Sequence, residues 1–211
     1  MVIRGSADSG GSTRFAQGPK SKELHFSSRL CKKCNGARTQ AADQEYDYFY
    51  RVARDYLEKG LDPNLAFRDY RYKNNPLSQI NIFRYFAKLL CCHLAEMQAP
   101  RPVHISKFAL GRTDTNCIWL KVDTDLVYER DFNLIGKHKY AAHGGLVFYF
   151  NEKREMITGF HSTRTIGQIR YIFFARLTIQ EQFALKLFHR NFYKLCREIS
   201  MNDINAHVSN E

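Results

Sequence analysis

Apolar residues at Ala42, Tyr46, Phe49, Ala53 and Tyr56 recur at steps of three and four. That spacing stacks them along one face of a helix over 41–59, and Gly60 stands where a helix C-terminus favours a left-handed residue. The stretch "LDPNLAFRDYRYKNNP" that follows has no sustained period and reads as a loop, in which Tyr70, Arg71 and Tyr72 either stack on bases or pack on a neighbouring element. A second helix is expected from Asn75 as cap and Pro76 as first helical residue to about Met97, where "APRP" at 99–102 stops it. On this helix Arg84, Lys88 and Ala95 share one face. His93 falls opposite, with Ile82, Phe86, Leu89 and Met97.

Beyond residue 115 the period shortens. "NCIWLKVD" (116–123) reads as a strand, and "GGLVFYFN" (144–151) with "EMITGFHST" (155–163) flank the polar turn "EKR" as a hairpin. "IRYIFFARL" (169–177) is apolar almost throughout, the pattern of a central strand covered on both faces. "TIQE" (178–181) is a capping box that opens a last helix. Its apolar face would be Phe183, Ala184, Leu187, Phe188, Phe192 and Leu195, and the polar end "MNDINAHVSNE" is expected to fray. There is no internal repeat. Helices segregated from strands make the fold class α+β: two helices, then a small, mostly antiparallel sheet of three to four strands with a C-terminal helix.

Charge adds a direction to this picture. The 211 residues hold 32 Lys and Arg against 21 Asp and Glu, a net charge of +11, which favours an acidic partner, nucleic acid first among them. Residues 1–40 alone hold eight basic residues against two acids, and residues 1–19 are Gly- and Ser-rich, so a flexible basic arm or a solvated tail is expected there. The longest apolar stretch, "IFRYFAKLLCCHLAEM", is interrupted by Arg84, Lys88 and Glu96 and is not a membrane span. No apolar signal segment opens the chain, so the six cysteines are expected as thiols or metal ligands in a cytoplasmic protein.

The chemistry candidates centre on "RLCKKCNGARTQ" (29–40). Cys31 and Cys34 form a C-x-x-C whose thiolates suit zinc, and Arg29, Lys32, Lys33 and Arg38 lower the thiol pKa values. Two thiols do not close a tetrahedral site. His25 is a further candidate, as metal ligand or phosphate contact. The run Cys91-Cys92-His93 reads as packing, because neighbouring residues on a helix diverge by about 100°. "AHGGL" (142–146) reads as a turn, since no nucleophile motif accompanies it. "FHSTRTIGQIR" (160–170) reads as a polar hairpin rim, or as an anion contact through His161, Ser162, Thr163, Arg164 and Arg170.

"RLCKKCNGARTQAADQEYDYFYR" resembles the second half of an HNH-type endonuclease unit, in which a strand enters a C-x-x-C knuckle and a metal-facing helix follows. The match spans about residues 20–59. The resemblance implies that Cys31 and Cys34 are structural zinc ligands, that Asn35 faces a catalytic Mg or Mn ion, and that Lys20, Lys22, Arg29, Lys32, Lys33 and Arg38 contact nucleic acid, DNA in the first place. Residues 1–24 contain no His and no Cys, so the strand carrying the general base is missing: either the chain begins inside a longer protein or the unit is degenerate. His25 is the one nearby substitute. The expected organisation is an arm (1–19), the partial nuclease-like knuckle and helix (20–59), a helical region (60–99), an α+β region (100–200) and a tail (201–211). Three functions stay open: a nuclease or nuclease remnant impaired in cleavage, a non-catalytic nucleic-acid-binding module with a structural zinc knuckle, or an α+β enzyme working around His143 and His161.

Overall fold

The computed structural model describes residues 2–4, 14–15, 33–126, 140–153 and 155–208. It is mixed helix and sheet, as the pattern predicts. After two short strands, β1 (Val2–Arg4) and β2 (Arg14–Phe15), a single π-helical turn, Lys33–Arg38, leads into α1 (Gln40–Glu58). A 3-10 turn (Pro63–Arg68) and α2 (Tyr70–Asn74) connect to the long helix α3 (Pro76–Glu96), followed by α4 (Val103–Ala109). Five antiparallel strands follow: β3 (Ile118–Thr124), β4 (Tyr140–His143), β5 (Val147–Phe150), β6 (Ile157–Ile166) and β7 (Ile169–Arg176). Helices α5 (Ile179–Phe188) and α6 (Arg190–Val208) close the described chain.

The helical elements follow from their caps and stripes. Ala42, Tyr46, Phe49 and Ala53 are buried on α1 at the expected spacing, and Gly60 takes the left-handed conformation, φ 72°, just past the helix end. The stretch after it is not an open loop. Asp62 Oδ1 accepts from Asn64 N and Asp69 Oδ1 from Arg71 N, so each carboxylate caps a short helical turn. Within it Tyr72 is buried, Arg71 is exposed but grips the buried Glu45 carboxylate through two bonds of 2.7 and 2.9 Å, and Tyr70 is exposed. Asn75 Oδ1 accepts from the amides of Leu77 and Ser78 and starts α3 where predicted.

Helix α3 is the hub. It packs against α1, α4 and the strands β3, β6 and β7, and is therefore buried nearly all round. The face shared by Arg84 and Lys88 is enclosed as well: Arg84 is buried, bonded to Asn81 Oδ1, Thr113 O and Asp114, and Lys88 is held by both oxygens of Asp43 at 2.8 and 2.7 Å. Cations sit there because each finds a carboxylate, which offsets their desolvation. Met97, placed on the apolar face by its spacing, is exposed at the helix end.

The sheet order is β2-β1-β4-β6-β7-β3, with β5 pairing β6 beyond β4. β4 and β5 are consecutive halves of one edge against β6, broken at Gly144–Leu146. A Cβ on Gly144 would collide with Thr163 Oγ1, so this crossing demands glycine. β1 joins β4 in parallel, so part of the expected flexible arm pairs with the sheet; Val2 and Ile3 are β-branched residues suited to a strand. On the opposite edge the Asn64 side chain bonds both polar groups of the Val122 backbone, 2.6 and 3.0 Å, and shields the β3 edge.

One face of the sheet is covered by helices. Tyr171 and Phe173 of β7 meet Phe86 of α3 at ring-centroid distances of 5.2 Å each, and Tyr46 stacks on Tyr85 at 4.0 Å. The hydrophobic core runs without interruption from Ala42 on α1 to Cys196 on α6, joining the helical stretch to the sheet. Fully burying an aromatic or aliphatic side chain of this size contributes about 1.5–3 kcal/mol. β7 alternates buried and half-buried positions, so it is covered on one face and not on both as its run of apolar residues predicted. The capping box forms as expected: Thr178 Oγ1 accepts from Glu181 N and Glu181 Oε2 accepts from Thr178 N. The last helix, however, breaks at His189 into two, and each half buries a different face from the one predicted. Leu185, Tyr193 and Cys196 are buried, whereas Phe183, Leu187, Phe188 and Leu195 of the predicted face are exposed. Residues 201–208, expected to fray, continue as helix.

Candidate functional site

The turn that carries the knuckle residues forms one wall of a cleft of about 450 Å³. Cys34 and Thr39 line it from the π-helical turn and the start of α1, and Lys88 and Cys91 from α3. Arg101, Lys107 and Arg112 line it from α4 and its flanks, and none of the residues lining the cleft is acidic. Between Met97 and Thr113 the chain has three basic residues and no Asp or Glu. Helix α4 anchors this segment by burying Ile105, Phe108 and Ala109, which leaves Lys107 on the outer side.

Thr39 caps α1 without a side-chain bond to the helix amides; its hydroxyl donates back to Asn35 O at 3.1 Å and fastens the turn to the helix start. Asn35, Lys33 and Arg38 are exposed on that turn. Cys91 faces Ser106 Oγ at 3.8 Å, and burial pushes its thiol up to about 11, so it is no thiolate at neutral pH. Cys92 is buried too and its thiol is likewise raised by burial. Of the residues marked by the sequence, Cys31, His25, Lys20, Lys22, Arg29 and Lys32 lie outside the described residues, and the structure brings Cys34 to the basic cleft. Among the described residues no group of three or more His, Cys, Asp or Glu side chains could hold a metal ion. Arg101, Lys107 and Arg112 were missed by the sequence reading; the acid-free run 97–113 was the signal that marks them.

The segment "FHSTRTIGQIR" is no rim. It forms the central strand β6 and the tight turn into β7, because β4, β5 and β7 all pair with it. Alternation turns both Ser162, fully buried, and Arg164, half-buried, towards the helix-covered side. Ser162 Oγ donates to Gly144 O at 3.1 Å and lies 3.2 Å from His93 Nε2, so it accepts from the Nε2–H of a neutral imidazole. With its only proton on a carbonyl, Ser162 is not poised as a nucleophile. The Arg164 guanidinium donates to Tyr85 Oη and lies 5.3 and 5.6 Å from the ring centroids of Tyr46 and Tyr85. Burial pushes His93 down to about 4; Glu96 opposes this and Arg164 reinforces it. Burial, then Arg164 and His93, push His143 down to about 3.

His143 pairs in register with Arg164 and its ring lies 5.8 Å from that of His93, on the helix-covered face. His161 projects from the other face, bonded to Tyr149. The two histidines thus stand on opposite sides of the sheet, and the enzyme reading built on that pair has no common site.

Comparison with family models, with curated proteins and with solved structures returned no match to the chain. No helix among the described residues is long and apolar enough to cross a membrane.

Proposed function

We propose that this protein binds nucleic acid, with the cleft between the Lys33–Arg38 turn and α4 as a phosphate-contacting surface. The observation that carries the reading is the convergence of Arg101, Lys107 and Arg112 on one cleft with no acidic residue in its lining. A net charge of +11 adds long-range attraction for a polyanion. Lys33 and Arg38 extend the basic surface along the turn. Of the open readings, this supports the binding module. A zinc ion on Cys31 and Cys34 belongs to the same proposal and rests on their spacing. Cleavage with Mg or Mn would use Asn35 and would need a base such as His25; it is not required for binding.

The test is duplex DNA binding by the purified chain, followed by fluorescence anisotropy across a salt series. Affinity should fall steeply with salt. Each phosphate contact contributes about 0.9 to the slope of log K against log salt, so alanines at Arg101, Lys107 and Arg112 together should reduce it by about 2–3. Absent binding, or an unchanged slope in the triple variant, overturns the assignment.

A further inference from the structure

The second face of the sheet carries a row of aromatic side chains that the fold does not use as core. Trp119 on β3 pairs in register with Phe174 on β7, and Phe174 pairs with His161 on β6. The Trp119 and Phe174 ring centroids are 5.6 Å apart, and Phe174 and Tyr149 of β5 are 5.2 Å apart. Tyr149 Oη sits 2.7 Å from His161 Nδ1, which fixes both rings. Trp119 is 57% exposed and Tyr149 42%, while Phe174 and His161 are half-buried. Gly159 explains how Phe174 lies down: a Cβ there would come within 2.8 Å of Phe174 Cε2, so its absence lets the ring cross β6 close to the backbone. Four rings on neighbouring strands brace one another at tilted and edge-on angles and form one continuous aromatic patch.

The charge around the patch is positive. Register places Lys121 two residues beyond Trp119, and Arg170 and Arg176 on either side of Phe174 at two-residue steps on the same face. Asp123, paired with Lys121 at 2.6 Å, is the carboxylate among them, and Asp125 further on is buried against Thr165. Three cations therefore surround the rings against one paired carboxylate.

We infer that this face binds single-stranded nucleic acid, its bases stacking on Trp119, Phe174 and Tyr149 and its phosphates meeting Arg170 and Arg176. The inference rests on the nucleic-acid reading above and deepens it by naming the strand state. Duplex bases are stacked on each other and offer no free faces, whereas an unpaired base gains a π-surface from each exposed ring. An apolar protein partner would be served by the rings but not by the arginines.

Trp119 is the only tryptophan of the chain, so its fluorescence reports on this face alone. The full chain is titrated with an oligothymidine of about 20 nucleotides and with a duplex of the same length. Oligothymidine should quench Trp119 to saturation. By anisotropy of the labelled oligonucleotide, Trp119→Ala and Phe174→Ala should each weaken its binding by about tenfold, with Trp119→Phe close to wild type and duplex affinity unchanged. Thermal melting checks that the exposed substitution leaves the fold intact. Oligothymidine binding without quenching and unaltered by Trp119→Ala overturns the inference and leaves nucleic-acid binding standing. Binding of neither probe overturns both. A change of oligomeric state in Trp119→Ala, with oligothymidine affinity unchanged, overturns it in favour of self-association through this face.

Discussion

Acid should unfold this protein earlier than its carboxylates alone require, because two histidines, His93 buried and His143 half-buried beside it, are folded in as neutral bases. His93 titrates at about 4 and His143 at about 3, against 6.5 in the unfolded chain. The unfolded state therefore binds protons that the folded state refuses, and stability falls as pH drops from about 6.5 towards 4. Between about pH 7.5 and about pH 5 each histidine removes about 2 kcal/mol, and this figure barely depends on how far below 5 the folded value lies. The pair removes about 4 kcal/mol from a stability expected to be roughly 5–15 kcal/mol. Glu181 and Asp123, whose carboxyls are held low, contribute little in this window, since their stabilisation is lost only below their unfolded values near 4.5 and 3.8. His161, lowered by burial and by Arg170 but half-exposed, acts in the same sense as the pair and more weakly. The assay is urea unfolding at the two pH values for wild type and for the His93→Gln, His143→Gln double variant. The variant loses the contact to Ser162, so its stability at pH 7.5 is lower; the informative quantity is the loss between the two pH values. Wild type should lose about 4 kcal/mol and the variant about 1 or less. Equal losses in the two proteins would refute the reasoning.

Two further outcomes follow from local geometry. Burial alone would raise the Glu181 carboxyl, yet bonds from His104 Nδ1 at 2.8 Å and from Thr178 outweigh it and hold it at about 2; Thr178→Ala should cost about 1 kcal/mol and Glu181→Ala about 2, read as melting-temperature drops of about 2–4 °C per kcal/mol. Gly144→Ala should cost about 1–3 kcal/mol by forcing β6 away from the β4–β5 crossing, and adding Thr163→Ala should restore part of it in the same melting assay; no loss in the single variant would show that the crossing tolerates a side chain.

Most elements were legible in the sequence because their signals are local. Asn75 and Pro76 specify the start of α3 through bonds within three residues, Thr178 and Glu181 do the same for α5, and Gly60 marks the end of α1. Four of the five residues of the three- and four-step stripe on α1 are buried, Tyr56 is half-buried, and Glu45 joins the buried face. Periodicity could not decide which polar residues would be enclosed. Arg84 and Lys88 share a helix face, and only Asp114 and Asp43, arriving from distant segments, allow these cations to be enclosed.

The sequence by itself determined the caps of α3 and α5, the positions of β3, β5, β6 and β7, the α+β order and the strongly basic balance, but not β1, β2 or β4, whose strand character comes from their pairing partners. Tertiary structure decided the rest. Strand pairing made β6 central, which buried Ser162, half-buried Arg164 and put His143 and His161 on opposite faces. Packing of α5 and α6 buried Leu185, Tyr193 and Cys196 and left the predicted apolar stripe exposed. Packing of α4 onto α3 gathered Arg101, Lys107 and Arg112 beside Cys34, and the register of four strands lined up Trp119, Phe174, His161 and Tyr149. Each of these depends on contacts between residues far apart in the chain, which no local pattern encodes.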